Sequence, residues 1–246
     1  MLEALRREVF EANLEVARRG LALYTWGNVS GIDRSLGLVV MKPSGVPYDD
    51  LQPGSLVVLD LNGRVVEGTL APSTDTPSHL ALYRAWPAIG GVVHTHSPYA
   101  TAWAQACREL PCLGTTHADH FHGPVPVTEP LSDEEIASGY ERSIGESIVR
   151  RFRGLDPMAV PAVLCANHGP FAWGESPAKA VYHNVVLEEC AKLAMWTLAI
   201  EPGTRGIGKA LLDKHYLRKH GPDAYYGQAT AGRRGGPPGP TEPGER

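Results

Sequence analysis

Apolar positions recur along the chain in two rhythms. Over residues 2–19, Leu2, Leu5, Val9, Ala12 and Val16 fall three or four apart, the stripe of an amphipathic helix, and Gly20 supplies its stop. Short apolar runs follow at 38–41, 56–59 and 64–66 and read as strands. Asn62-Gly63 marks a tight hairpin between the last two, and such close spacing predicts antiparallel pairing. The helical rhythm resumes from Pro77 to Trp86, with Thr76 as expected N-cap and Pro77 at the first helical position. It returns at 98–107, at 133–150 behind Asp133, Glu134 and Glu135, and at 177–199. Apolar runs at 89–93 and 162–166 read as buried strands. The segment Thr25-Trp26-Gly27-Asn28-Val29-Ser30-Gly31 reads as a turn. Residues 207–220 are helical and basic. The pattern predicts an α/β fold, a single layered domain over 1–228 whose central sheet is largely antiparallel and flanked by helices. From Ala229 onward no apolar residue exceeds alanine, so 229–246 is expected to be a disordered tail.

Composition narrows the partners. At 246 residues and 43% hydrophobic content the chain can bury one substantial core. A net charge of −4 gives no electrostatic footprint for nucleic acid. Nothing approaches the ~18–20 consecutive apolar residues of a membrane span, and the acidic residues in the first turn of the chain do not suit a secretory leader. A cytoplasmic protein is expected. Cys107, Cys112, Cys165 and Cys190 show no C-x-x-C spacing and read as reduced structural residues.

Polar residues then add chemistry. His94 and His96 lie at the end of the 89–93 strand with one residue between them, so alternation would place both on one side, close enough to share a cation. His168 follows the second buried strand and Asp75 precedes a helix. Three imidazoles and a carboxylate suit a borderline-soft divalent ion. Lys42-Pro43-Ser44-Gly45 and Ser73-Thr74 offer a cation, hydroxyls and backbone N–H groups of the kind a phosphate seeks, although such groups also serve as ordinary caps. His117, Asp119, His120 and His122 crowd into six residues; they could form a second metal site, a set of proton-transfer groups or an exposed loop.

Taken together, Thr25-Trp26-Gly27-Asn28-Val29-Ser30, Lys42-Pro43-Ser44-Gly45, Ser73-Thr74-Asp75-Thr76-Pro77, Val93-His94-Thr95-His96, Gly114-Thr115-Thr116-His117-Ala118-Asp119, His168-Gly169-Pro170-Phe171-Ala172-Trp173-Gly174 and 211–221 resemble the epimerase branch of the class II aldolase/adducin family. The resemblance extends in register over 1–228. It implies metal ligation by Asp75, His94, His96 and His168, with Zn²⁺ the usual ion and Mn²⁺ or Co²⁺ as alternatives. It implies a substrate-phosphate pocket of Gly27, Asn28, Lys42, Ser44, Gly45, Ser73 and Thr74. Asp119 and Tyr226 match an acid/base pair serving opposite faces of the substrate, Tyr226 coming from a neighbouring subunit of a homotetramer. Thr115, Glu141, His215 and Arg218 fall near the site by the same comparison. The implied reaction interconverts L-ribulose 5-phosphate and D-xylulose 5-phosphate in pentose catabolism, so the implied partner is a phosphorylated ketopentose, with neither nucleic acid nor membrane.

Chemistry accounts for the implied metal. The C4 hydrogen of such a ketose is not adjacent to the carbonyl, so its direct abstraction would leave an unstabilised carbanion. Cleaving C3–C4 instead gives an enediolate that a Lewis acid can stabilise, and rotation of the aldehyde before recondensation inverts C4. An aldolase of the L-fuculose 1-phosphate type would share this chemistry and release the fragments. A barrel hydrolase would need evenly alternating strands and helices. An adducin-like binding module would lack the ligands.

Overall fold

The computed structural model describes residues 2–226. Helix α1 (Glu3–Arg18) leads into strands β1 (Asn28–Asp33) and β2 (Leu38–Met41), two single-turn 3₁₀ segments, and strands β3 (Val57–Asp60) and β4 (Val65–Glu67). Helix α2 (Thr76–Ala85), strand β5 (Gly91–His94), helix α3 (Pro98–Gln105) and the short α4 (Thr115–Ala118) follow. Helix α5 (Asp133–Arg151), strands β6 (Ala162–Leu164) and β7 (Pro170–Gly174), and helices α6 (Pro177–Ile200) and α7 (Lys209–His220) complete the order. The strands form one sheet in the order β4-β3-β2-β1-β5-β7-β6, and every named pairing is antiparallel.

The expected layers are present. On one side of the sheet Val29, Val93, Ala162 and Ala172 pack with residues of α1, α3 and α6; on the other, Val92, Val163, Phe171 and Trp173 pack with α2 and α5. Strands covered on both faces carry apolar residues at successive positions, and β5 and β7 do so. No helix of the described residues is long and apolar enough to cross a membrane. The expected tail, 229–246, lies outside the described residues.

Several local expectations are corrected. Of the segment expected as a turn, 25–31, the residues from Asn28 onward belong to β1, the strand that joins the β2 and β5 sides of the sheet. Its Gly31 pairs with Gly91 of β5, and a Cβ on either would come within 2.7 Å of Pro177 at the start of α6. Glycine is needed there because a helix end sits against the sheet, and two such residues erase the apolar signature of the strand. β7 likewise lies within the motif His168–Gly174, for which no strand is expected. The strand expected at 89–93 runs instead from Gly91 to His94, so His96 lies beyond its end. Asp75, rather than Thr76, occupies the N-cap position of α2. The expected 133–150 helix is present as α5 but breaks at Gly139, whose φ of 147° is a conformation few residues other than glycine adopt.

Candidate active site

β5 ends on His94, and the chain turns out of the sheet through Thr95, His96 and Ser97 into α3. Polar contacts from α6 hold this segment: Thr95 Oγ1 donates to Asn184 Oδ1 at 3.0 Å, and Glu188 accepts the N–H groups of Tyr99 and Ala100 at 2.8 and 2.9 Å. His168 reaches the same point from the β6–β7 turn, where Asn167 takes a φ of 61°. His94 Nε2 lies 3.2 Å from His96 Nε2 and 3.0 Å from His168 Nε2. Strand alternation alone therefore does not bring the imidazoles together; the exit turn of β5 and the β6–β7 turn do.

The outer nitrogens have partners of their own. His94 Nδ1–H donates to the Pro170 carbonyl at 2.9 Å, and His168 Nδ1 is 2.9 Å from Tyr140 Oη. Both rings thus turn Nε2 inward. Burial pushes His168 down to about 3, with the other two imidazoles acting in the same direction, and burial also lowers His96. Neutral imidazoles are the form that ligates a metal. For nitrogens at about 2.0–2.1 Å from a cation, tetrahedral to octahedral angles place ligands about 2.9–3.4 Å apart, so this donor set fits a divalent ion.

These histidines line a cavity of about 500 Å³ that also contains Gly27, Asn28, Lys42, Ser44, Gly45, Ser73, Thr74, Asp75, Tyr140 and Glu141. Every residue expected for the phosphate pocket and the metal is therefore brought to one place. Among the described residues the three histidines form the one group whose ligand atoms all lie within 4.8 Å of one another. Asp75 is outside that group, its Oδ2 accepting from Asn28 Nδ2 at 2.6 Å. Burial pushes its carboxyl up, but His94, His79, the Asn28 amide and His168 together outweigh this and the net direction is down. Lys42 is almost fully buried; its ammonium donates to the Val46 carbonyl at 2.8 Å, lies over the Tyr48 ring, and is pushed by burial down to about 8.

Asp119 and Tyr226 do not line this cavity. Asp119 follows α4 and receives Arg218 at 2.8 Å, His215 at 3.0 Å and Lys219 at 3.4 Å, all from α7. Burial pushes Asp119 up, yet the Arg218 and His215 hydrogen bonds and the nearby cations bring it below its ordinary value. Tyr226 is 59% exposed and lies under the charged ends of Arg218 and Lys219. Thr115 falls on α4 beside this group, whereas Glu141 is in the cavity.

The histidine-rich segment is a set of separate contacts. His117 Nε2–H donates to Gly123 O at 2.8 Å, His120 meets Tyr182 and His122 meets Asp213. No second metal group occurs among the described residues. Tyr140 is the site residue that the sequence reading missed. Its one signal is the glycine before it, unexpected inside a helical pattern.

Residues 7–195 match the model of the Class II Aldolase and Adducin N-terminal domain. The chain is 50% identical over 227 residues to L-ribulose-5-phosphate 4-epimerase UlaF of Salmonella paratyphi A (strain ATCC 9150 / SARB42), covering 92% of this chain and 100% of that protein. Among solved structures it is similar to L-fuculose 1-phosphate aldolase, with a TM-score of 0.70 at 26% identity over 87% of this chain and 95% of that one. It is also similar to YgbL of Klebsiella pneumoniae, described as a putative aldolase/epimerase/decarboxylase, with a TM-score of 0.67 at 27% identity over 87% and 99% of the two chains. The matched domain spans most of the sequence and the fold carries its histidines into one cavity: this chain belongs to the class II aldolase/adducin family.

Proposed function

We propose that this chain is a metal-dependent epimerase interconverting L-ribulose 5-phosphate and D-xylulose 5-phosphate. The observation that carries the reading is the convergence of three inward-facing imidazoles and a lysine- and hydroxyl-lined phosphate pocket in one cavity, in a chain half identical to such an epimerase. His94, His96 and His168, with Asp75 beside them, would hold a divalent cation, Zn²⁺ in this reading, which when bound supplies Lewis-acid stabilisation of negative charge on substrate oxygens.

The chain's own residues do the rest. Lys42, Ser44, Gly45, Ser73 and Thr74, with Gly27 and Asn28, grip the phosphate and so retain the two-carbon aldehyde while it turns between cleavage and recondensation. One group takes the C4 hydroxyl proton as C3–C4 breaks, and another protonates the C4 oxygen as the bond re-forms on the opposite face of the turned aldehyde. Asp119, held ionised by Arg218 and His215, suits the acceptor, and Tyr226 suits the donor because a phenol carries its proton at neutral pH. The pair lies outside the cavity of its own chain, so the complete site takes Asp119 and Tyr226 from a neighbouring copy in a homotetramer. Exposed Trp26, which lines the cavity, and Leu23 and Tyr24 just before it in the chain offer apolar surface for that neighbour.

Incubation with L-ribulose 5-phosphate, with and without a chelator, tests the reading. Chelator-sensitive D-xylulose 5-phosphate with little free glycolaldehyde phosphate is expected. Accumulating aldehyde would identify an aldolase instead, and no conversion by metal-loaded protein would end the proposal.

A further inference from the structure

Tyr140 has a placement that none of the roles above uses. Helix α5 breaks at Gly139, and Tyr140 is the first residue after the break. A Cβ on Gly139 would meet nothing closer than 3.8 Å, so glycine is present for its φ of 147° and not for space. The break is stabilised on both sides: Ser143 Oγ donates to the Glu135 carbonyl at 2.8 Å, and Ser78 Oγ donates to the Glu141 carbonyl. A backbone distortion anchored in this way sets the direction of the side chain that follows it.

That side chain reaches His168. Tyr140 Oη is 2.9 Å from Nδ1, and the rings meet edge-on at 63° with centroids 5.8 Å apart. Because His168 Nε2 faces His94 Nε2 at 3.0 Å, the ring must carry its hydrogen on Nδ1 whenever Nε2 serves as a ligand. In that state Nδ1–H donates and the phenol oxygen accepts. The phenol's own hydrogen is then free, and Tyr140 lines the cavity.

We infer that Tyr140 is a positioning residue for His168 and, through the same hydrogen bond, turns its O–H into the cavity as a donor to a hydroxyl or carbonyl oxygen of the bound phosphosugar. Partners of this kind fix the orientation and basicity of ligating imidazoles, and their loss typically costs 10–100-fold in metal affinity. His94 has a backbone carbonyl for this purpose, which no substitution of a side chain removes; His168 depends on a side chain. The inference rests on the metal reading of the three histidines.

The test is a titration of chelator-stripped protein with Co²⁺ alone, followed by visible absorption, on wild type, Tyr140→Phe, His96→Ala and the surface control Arg142→Gln. Tyr140→Phe is expected to bind Co²⁺ at least about tenfold more weakly with an altered spectrum, while its metal-free melting temperature and the behaviour of Arg142→Gln match wild type. At saturating Co²⁺, kcat/KM for L-ribulose 5-phosphate should still be reduced about tenfold, the loss of one hydrogen bond to substrate. Unchanged Co²⁺ affinity in Tyr140→Phe overturns the positioning role, and unchanged kcat/KM at saturating metal overturns the donor role. Should Tyr140→Phe fail to fold, nitrogen NMR of zinc-loaded wild type decides: a slowly exchanging Nδ1–H on His168 supports the inference and a freely exchanging one refutes it. If wild type binds no more Co²⁺ than His96→Ala, the metal reading itself has failed and the inference falls with it.

Discussion

The histidines of the cavity hang from adjacent inner strands, β5 and β7, which are covered by helices on both faces, and two of their three rings are tied at the outer nitrogen. Asp119 is held by α7, a helix with no buried residue, through charged and imidazole contacts alone. One region is held in place by packing and hydrogen bonds within the chain. The other has charge but little packing behind it, and its tyrosine faces solvent. Under the proposed function, this contrast suits a division of labour in which each chain would build the binding half of its own site and lend the proton-transfer half to a neighbour.

The largest expected effect breaks the rigid half. His96→Ala should lose metal and about 10³-fold or more of turnover, several kcal/mol of charge stabilisation; a variant retaining full metal content and activity would remove His96 from the site. Next, Asp119→Asn and Tyr226→Phe should each lower kcat about 10²- to 10⁴-fold while keeping the metal, and unchanged turnover in either would exclude that residue. Mixing His96→Ala chains with Asp119→Asn chains sharpens the comparison. Random reassembly should restore about a quarter of the sites if each is built from two chains, and no recovery after demonstrated exchange of subunits would place the whole site in one chain.

A smaller effect concerns Lys42. Held at about 8 by burial, it loses its charge as pH rises through that value, so KM for the phosphosugar should climb above about pH 8. Lys42→Met should raise KM about 10–100-fold, the worth of a charged hydrogen bond, and abolish this pH dependence. A wild-type KM flat to pH 9.5 would contradict the assignment. The last effect is on stability and not on activity. Burial holds His117 and His183 near 4, against an ordinary 6.5. The unfolded chain therefore takes up protons first, and stability should fall as pH drops from about 6.5 towards 4, by about 1.4 kcal/mol per unit for each group. Denaturant midpoints measured across that window provide the check.

Much of this was legible in the sequence where one physical cause dominated. The α1 stripe, the Asn62-Gly63 hairpin and the acidic first turn of α5 are local, and the structure bears them out. β1 was hidden because Gly31 answers to Pro177, a residue far along the chain. The tie from Tyr140 to His168 was hidden because it depends on a single backbone angle at Gly139. Motifs gathered the cavity residues correctly, but no spacing rule separates Asp119 and Tyr226 from them. That separation appears only when α7 is placed against α4.

The antiparallel pairing of β5 with β7 also sets an order of events during synthesis. His94 and His168 stand 74 positions apart, and the register that joins them runs through Gly91↔Gly174 and His94↔Phe171. A nascent chain that has just exposed His94 and His96 holds two ligands and no third. The β1–β4 meander can pair early from local contacts, but the three-nitrogen cluster waits for the long-range closure of β7, the kind of contact that forms slowly. A metal held by this cluster would therefore be captured late in folding, and a ribosome-bound chain truncated before residue 168 would have no complete site to fill.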